Sequence, residues 1–328
     1  MKNFIIEGRI LTAYTGNEEI VEIPKSTFVI RRGAFAGNTD IKEVVIPLNT
    51  RIIEAEAFKN CTNLKKVTLL GAEIIGAEAF MNTAVEEVDL PETIIKVSAS
   101  AFNESVQVNF PANTLFMESP KLSVSNSKLG MIPTLDLPPI TTCRHDAPCM
   151  NECYACRGHY VYLNRRVDRV INLKAYYANP QFYFDSIVAQ INSGLVTYNF
   201  FRWHSTGDIP DMDYLDGMAK VARKIKGTRF LCFTKKFELV NKWLETHKKP
   251  ANLIILFSNW GDWLCDNPHN LPTAWIEFKN RQTMIPAKAF HCPGSCSACA
   301  MESNGSCWHM KKGDCVVFEE HSTTIKKK

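Results

Sequence analysis

The dipeptide Ala-Phe recurs at Ala34-Phe35, Ala57-Phe58, Ala79-Phe80 and Ala101-Phe102, at spacings of 23, 22 and 22 residues. A strand-like alternation precedes each copy: Ile20–Pro24, Ile41–Pro47, Leu64–Leu69 and Val85–Pro91. Between strand and dipeptide lies an Ile-Ile-like pair, at Ile52-Ile53, Ile74-Ile75 and Ile94-Ile95. One such unit cannot bury its own apolar side chains, whereas stacked units share a continuous core. The period therefore predicts a solenoid, a right-handed coil of short strands.

Over about residues 17–111 this pattern resembles the BspA-like class of leucine-rich repeats, and the repeat domain is assigned to 1–115. The resemblance implies a surface for binding protein; the plainer alternative is an accessory or oligomerisation module. Nothing in the repeats has catalytic character, and Cys61 reads as a buried turn residue.

From Pro111 to Pro139 the chain is rich in Pro, Ser and Asn, residues that remove backbone donors or favour turns. The boundary is placed near residues 112–125, and a second domain is assigned to 122–322. There the pattern alternates between helix and strand. Helices are expected over Pro180–Gln190, Asp211–Lys226 and Lys236–His247, and strands over Tyr198–His204, Arg229–Thr234, Asn252–Ser258 and Ala274–Phe278. Strands joined by helices of this length pair in parallel, which makes the domain α/β, either a partial barrel or an open sheet.

Sites of parallel α/β domains lie at the carboxyl ends of the strands. Those ends supply Ser205, Thr206, Gly207 and Asp208, then Thr234 and Lys235, then Ser258 and Asn259, as candidate cofactor-binding residues. The plainer reading of Ser205, Thr206 and Asp208 is a turn before the next helix, and of His204 a satisfied core histidine. No residue is singled out as catalytic.

Cysteine is the unusual component: eleven of the 12 follow residue 140. The first residues, Met1 to Glu7, lack a basic, apolar and small-residue leader, and no run of ~18 apolar residues spans a bilayer. The expectation is a cytoplasmic protein without membrane partners, in which clustered cysteines are metal ligands or redox groups rather than disulfides. Cys143, Cys149, Cys153 and Cys156 form one group; Cys292, Cys296, Cys299 and Cys307 form another. The segment Cys149-x3-Cys153-x2-Cys156 matches the spacing of radical S-adenosylmethionine enzymes. In that chemistry three thiolates hold a [4Fe-4S] cluster whose open iron chelates S-adenosylmethionine. The sequence departs from that family in placing Ala155 before Cys156 and Tyr154 after Cys153. The second group suits an iron–sulfur cluster or a structural zinc ion without an open position. Cys232, Cys265 and Cys315 read as buried thiols.

A wider resemblance joins these segments. Asn126–Pro133, Cys143 to Ala155, Arg202–Asp208, Phe233–Lys236 and Cys307-Trp308 look like the phage gene product 88 family over about residues 122–320. The resemblance implies a recurring Cys143, Cys149 and Cys153-Tyr154-Ala155, with Cys156 less regular, so Cys143 or Cys156 completes the first site. It supplies no reaction. One expectation is an iron–sulfur enzyme of radical S-adenosylmethionine type acting on an unknown small or macromolecular substrate. The alternative is a non-catalytic, zinc-stabilised module that binds nucleic acid or protein, with the repeats as the protein-binding surface. Lys and Arg exceed Asp and Glu by only 38 − 34 = 4, which is too small a bias to argue for nucleic acid alone. Arg165, Arg166, Arg169 and the Lys326–Lys328 tail are the basic residues available for it; their plainer reading is a solvated face and a loose end.

Overall fold

A column of aromatic rings runs through the repeats. In the computed structural model, Tyr14, Phe35, Phe58, Phe80 and Phe102 stack in series with centroids 4.9, 4.5, 5.0 and 5.1 Å apart. All five are buried, so the Ala-Phe period is the period of the core itself. The structure describes residues 3–111, 119–124, 129–156, 163–195, 199–280, 283–296, 299 and 306–320. Part of the Pro-rich boundary, Asn126–Lys128, Tyr198 and Lys326–Lys328 lie outside the described residues. The chain divides into two units, Met1–Phe116 and Met117–Lys328.

In the first unit two sets of short strands alternate along the chain. One sheet consists of β1 (Phe4–Glu7), β2 (Ile10–Tyr14), β4 (Val29–Ile30), β6 (Ile52–Ile53), β8 (Ile74–Ile75) and β10 (Lys96–Val97), in that order. The other set is β3 (Ile20–Glu22), β5 (Glu43–Ile46) and β7 (Lys66–Leu69), followed by the pair β9 (Glu87–Asp89) and β11 (Gln107–Asn109). Apart from the β1–β2 hairpin every pairing is parallel and one repeat apart, as in Val44 opposite Val67 and Ile52 opposite Ile74. The last Ile-Ile pair is a correction to the sequence reading. Lys96-Val97, not Ile94-Ile95, pairs with Ile74-Ile75, and Ile94 is buried in the preceding turn, where Thr93 Oγ1 donates to the Ala72 carbonyl (3.0 Å). Cys61 is buried as expected, its thiol donating to the Phe35 carbonyl (3.1 Å).

Three of the four Ala-Phe turns share a left-handed residue. Gly33, Glu56 and Glu78 occupy one repeat position with φ of 69°, 60° and 56°. A side chain there costs about 1 kcal/mol relative to glycine. Glu56→Gly forgoes a surface pair with Arg32 (2.7 Å) and a weaker attraction to Lys59, together about 0.5 kcal/mol. The substitution should therefore stabilise the first unit by about 0.5 kcal/mol, read as a raised denaturation midpoint; a lowered midpoint would refute the repeat equivalence.

The second unit is built on seven parallel strands: β12 (Thr134–Leu135), β13 (Phe200–Trp203), β14 (Arg229–Thr234), β15 (Leu253–Ser258), β16 (Thr273–Glu277), β17 (Phe290–His291) and β18 (Cys315–Glu319). Their spatial order is β12-β13-β14-β15-β16-β18-β17, an open sheet in which the first five strands are neighbours in sequence order. Right-handed crossovers between such neighbours place their helices on one face. Phe184 of α2 (Pro180–Gln190) and Tyr214 of α3 (Met212–Lys224) pack on Trp203, and Phe237 of α4 (Phe237–Thr246) packs on Phe257, all on that face. Asn179 accepts from the Phe182 amide and Asp211 from the Tyr214 amide, so both predicted helix starts are side-chain caps. Among the described residues no helix is long and apolar enough to cross a membrane.

Several elements escaped the sequence reading, among them a helix and a strand that precede β13. Helix α1 (Leu163–Ala178) buries Arg166, Arg169 and Asn172 beside Val170, Leu173 and Tyr176. Arg166 and Arg169 thus do not belong to a solvated or nucleic-acid-facing surface. Strand β12 lies inside the Pro-rich stretch read as boundary, and Pro138 and Pro139 are buried with it.

Candidate functional site

The loops at the carboxyl edge of β12, β13, β14 and β15 meet through a chain of hydrogen bonds. After β12, one Asp136 carboxylate oxygen accepts from the Ser205 amide (2.8 Å), the Ser205 hydroxyl (2.7 Å) and the Thr206 amide (3.1 Å). Thr206 Oγ1 donates to the Leu137 carbonyl (3.2 Å). Gly207 has φ of 80°, and a Cβ there would stand 2.6 Å from the same carbonyl, so only glycine fits. The Asp208 amide donates to Thr142 Oγ1 (2.9 Å), while its carboxylate accepts from Thr234 Oγ1 (2.6 Å), the Ile209 amide (2.8 Å) and the Lys235 amide (2.9 Å). Lys235 Nζ donates to Ser258 Oγ (2.9 Å) and lies 5.6 Å from the centre of the Trp260 ring.

This network divides the predicted binding residues. Thr206, Asp208, Thr234 and Asn259 are buried. Asn259 Oδ1 accepts from the Cys265 amide (2.7 Å) and shapes the loop after β15. Ser205, Gly207, Lys235 and Ser258 are half-buried and form the accessible part of the edge.

The first cysteine group lies in the loop that follows β12. Two short 3₁₀ turns, Pro148–Met150 and Tyr154–Cys156, fold it back on itself, with the Glu152 amide on the Cys149 carbonyl (3.1 Å) and the Cys156 amide on the Cys153 carbonyl (3.2 Å). Two side chains besides the cysteines fix the loop. Arg144 pairs with Asp146 and with Glu238 of α4, and its guanidinium lies 5.3 and 5.9 Å from the centres of the Trp263 and Phe237 rings. The Tyr154 hydroxyl donates to the Ser205 carbonyl. The thiols of Cys143, Cys149 and Cys153 feel one another. Burial pushes the Cys143 thiol up, reinforced by Asp208, Cys153 and Cys149. Burial also raises Cys149, opposed by Lys235 and reinforced by Cys153 and Asp208. Burial raises the Asp208 carboxyl against its three hydrogen-bond donors.

The second group lies around Trp308. Burial, then Cys292 and Cys296, pushes the Cys307 thiol up to about 12, with Cys299 adding to the rise and Arg202 opposing it. None of the cysteines is in a disulfide. Among the described residues no three Cys, His, Asp or Glu side chains stand close enough together to hold a metal ion. The structure thus brings Cys143, Cys149 and Cys153 into one neighbourhood, with Cys156 tied to Cys153 through its amide, and Cys292, Cys296, Cys299 and Cys307 into another, without placing the thiols at ligand distance. Cys232 is buried, Cys265 lies in the loop after β15 half-buried, and Cys315 opens β18.

His204 is a core residue. Its Nε2 meets the Tyr214 hydroxyl (3.1 Å), and burial, then Arg202, pushes its pKa down to about 3 from 6.5. Its native state is neutral, so the unfolded chain binds the extra proton below pH 6.5. The stability this residue contributes is complete above that pH and falls as pH drops toward 3. His204→Gln should flatten the acid limb of a stability–pH curve; an unchanged limb would count against a buried neutral imidazole.

Comparison with known proteins bears on both units. The family model described as "Gene product 88" matches residues 112–284, and that of the "BspA type Leucine rich repeat region" matches residues 13–119 in six copies, two more than the Ala-Phe spacing marks. The first match ends before the second cysteine group. A leucine-rich repeat protein from Bacteroides capillosus is 21% identical over 34% of this chain and 99% of its own, with a TM-score of 0.29. The leucine-rich repeat protein of T. pallidum is 21% identical over 27% of this chain and 55% of its own (TM-score 0.23). One from Bacteroides ovatus is 23% identical over 31% and 36% (TM-score 0.23). No curated protein matches the chain.

Proposed function

The chain belongs to the gene product 88 family, and for its second unit we propose an iron–sulfur centre of radical S-adenosylmethionine type, held by Cys149, Cys153 and Cys156. One observation carries this reading. The Cys149-x3-Cys153-x2-Cys156 loop directly follows the first strand of the parallel sheet and lies beside the polar carboxyl edge of the next three. Half-buried cysteines at this spacing suit iron–sulfur or zinc chemistry. When bound, a [4Fe-4S] cluster with three thiolate ligands would supply one open iron for the cofactor and the electron that cleaves it.

The chain's own residues then take distinct parts. Asp208 brings a negative charge near both Cys143 and Cys149, which disfavours a thiolate at each, and only Cys149 has the Lys235 ammonium beside it to offset that charge. Cys143 is accordingly read as a packed neighbour and not a ligand. Lys235 and Ser258 present an ammonium and a hydroxyl suited to a carboxylate, such as that of S-adenosylmethionine. Asp136, Asp208 and Arg144 hold the loops that carry these groups. The repeats of the first unit are the surface for a protein partner, in keeping with the general use of leucine-rich repeats as protein-interaction modules.

Iron-loaded, reduced protein should cleave S-adenosylmethionine. Cys149→Ser and Cys156→Ser should abolish cleavage, and Cys143→Ser should keep it. Cleavage that survives Cys156→Ser but not Cys143→Ser would exchange the two residues' roles; its absence from iron-loaded wild type would leave only a structural or redox centre.

A further inference from the structure

The two faces of the second unit's sheet are covered in different ways. Helices α2, α3 and α4 pack on one. On the other, Leu231, Ile254 and Leu256 join Cys299, Cys307 and Trp308 in one buried cluster, with Cys292 and Cys296 packed against it. The described part of this cover holds short elements: the two-residue strand β17, helical residues at Cys296 and Cys299, and a 3₁₀ turn at Cys307–His309. It is tied at several points. The Cys292 amide donates to the Val317 carbonyl (2.9 Å), the Trp308 indole to the Cys296 carbonyl (3.3 Å), and Arg229 Nη1 to the Trp308 carbonyl (3.3 Å).

We propose that Cys292, Cys296, Cys299 and Cys307 form a closed four-thiolate zinc site that holds this cover on the sheet. A segment without a core of its own needs a staple, and tetrahedral zinc with four cysteine ligands is a common one. Charge supports the assignment. Four thiolates on a dication leave a net charge of about −2, and the Arg202 guanidinium is the cation beside Cys307. Arg202 lies 4.7 Å from the centre of the Phe233 ring and pairs with no carboxylate among the described residues. Binding draws the four side chains inward from their present separation. The site is closed, because all four positions around the metal are filled by the chain, so its role is to hold structure. This proposal does not rest on the reading of the first site.

Zinc itself is the probe, and the chain of both units is the material. Protein carrying Cys149→Ser, Cys153→Ser and Cys156→Ser should retain about one zinc per chain. Adding Cys296→Ser and Cys299→Ser should remove that zinc. Because the parent variant lacks the first site's ligands, failure of the iron–sulfur reading leaves this result untouched. In wild type, where no substitution disturbs folding, modification of the thiols by a mercurial should release zinc to a chromophoric indicator. Zinc content unchanged by the two added substitutions, iron and sulfide in place of zinc at the quartet, or no zinc released from wild type would each overturn the proposal.

Discussion

Glu73→Ala is expected to destabilise the first unit by about 3–5 kcal/mol. Arg51 and Glu73 come from successive repeats, 22 residues apart. Their side chains are 3% and 1% exposed, with Arg51 Nη1 2.5 Å from Glu73 Oε1. The pair crosses a junction that the backbone also holds, through the Glu73 amide on the Arg51 carbonyl (2.7 Å). Truncating the glutamate leaves a guanidinium in the core without its counter-charge, and that desolvated cation accounts for most of the cost. Replacing both partners by apolar residues, as in Arg51→Met/Glu73→Leu, removes the stranded charge and should recover most of the loss. Denaturant unfolding monitored on the repeats is the measurement. A cost of under about 1 kcal/mol for Glu73→Ala would mean that the pair is not buried as described.

Asp136→Ala is expected to cost the second unit about 3 kcal/mol, the scale for stranding partners of a charged acceptor. The substitution deprives the Ser205 amide, the Ser205 hydroxyl and the Thr206 amide of one shared carboxylate oxygen. The consequence extends beyond stability, because the Ser205 carbonyl in turn receives the Tyr154 hydroxyl from the cysteine loop. Loosening Ser205 should therefore loosen the hold on Cys153 and Cys156 and lower the metal retained after gel filtration. Asp136→Asn keeps an acceptor oxygen in place and should cost less than half as much. Equal losses for Ala and Asn would show that charge, and not acceptor geometry, holds the loop.

Asp136 also marks the limit of what could be read in advance. It falls in a stretch whose prolines and serines signal a linker, and its partner Ser205 is 69 residues further on. Arg144 and Glu238 are 94 residues apart, and Tyr154 and Ser205 are 51 apart. Local pattern carries no information about such pairs. The repeats were legible for the opposite reason: their buried positions are apolar and periodic, so Phe35, Phe58, Phe80 and Phe102 announce the column they form. The slip at Ile94-Ile95 arose because apolar residues also line the turns, so composition alone did not fix the pairing register. Strands β14 and β15 were legible as unbroken apolar runs. Helix α1 was not, because the stripe it buries carries Arg166, Arg169 and Asn172, which break the expected apolar period. At the candidate site, spacing identified the cysteines. The burial of Thr206, Thr234 and Asn259 depends on contacts between loops from different strands, which the sequence does not display.

The most direct test is the metal content of the anaerobically purified protein. An iron–sulfur centre at the first cysteine group requires about four iron and four acid-labile sulfide per chain, with broad visible absorption that bleaches on reduction, and their loss in Cys149→Ser. Zinc bound in stoichiometric amount at both cysteine groups, with no iron and no sulfide, would contradict it.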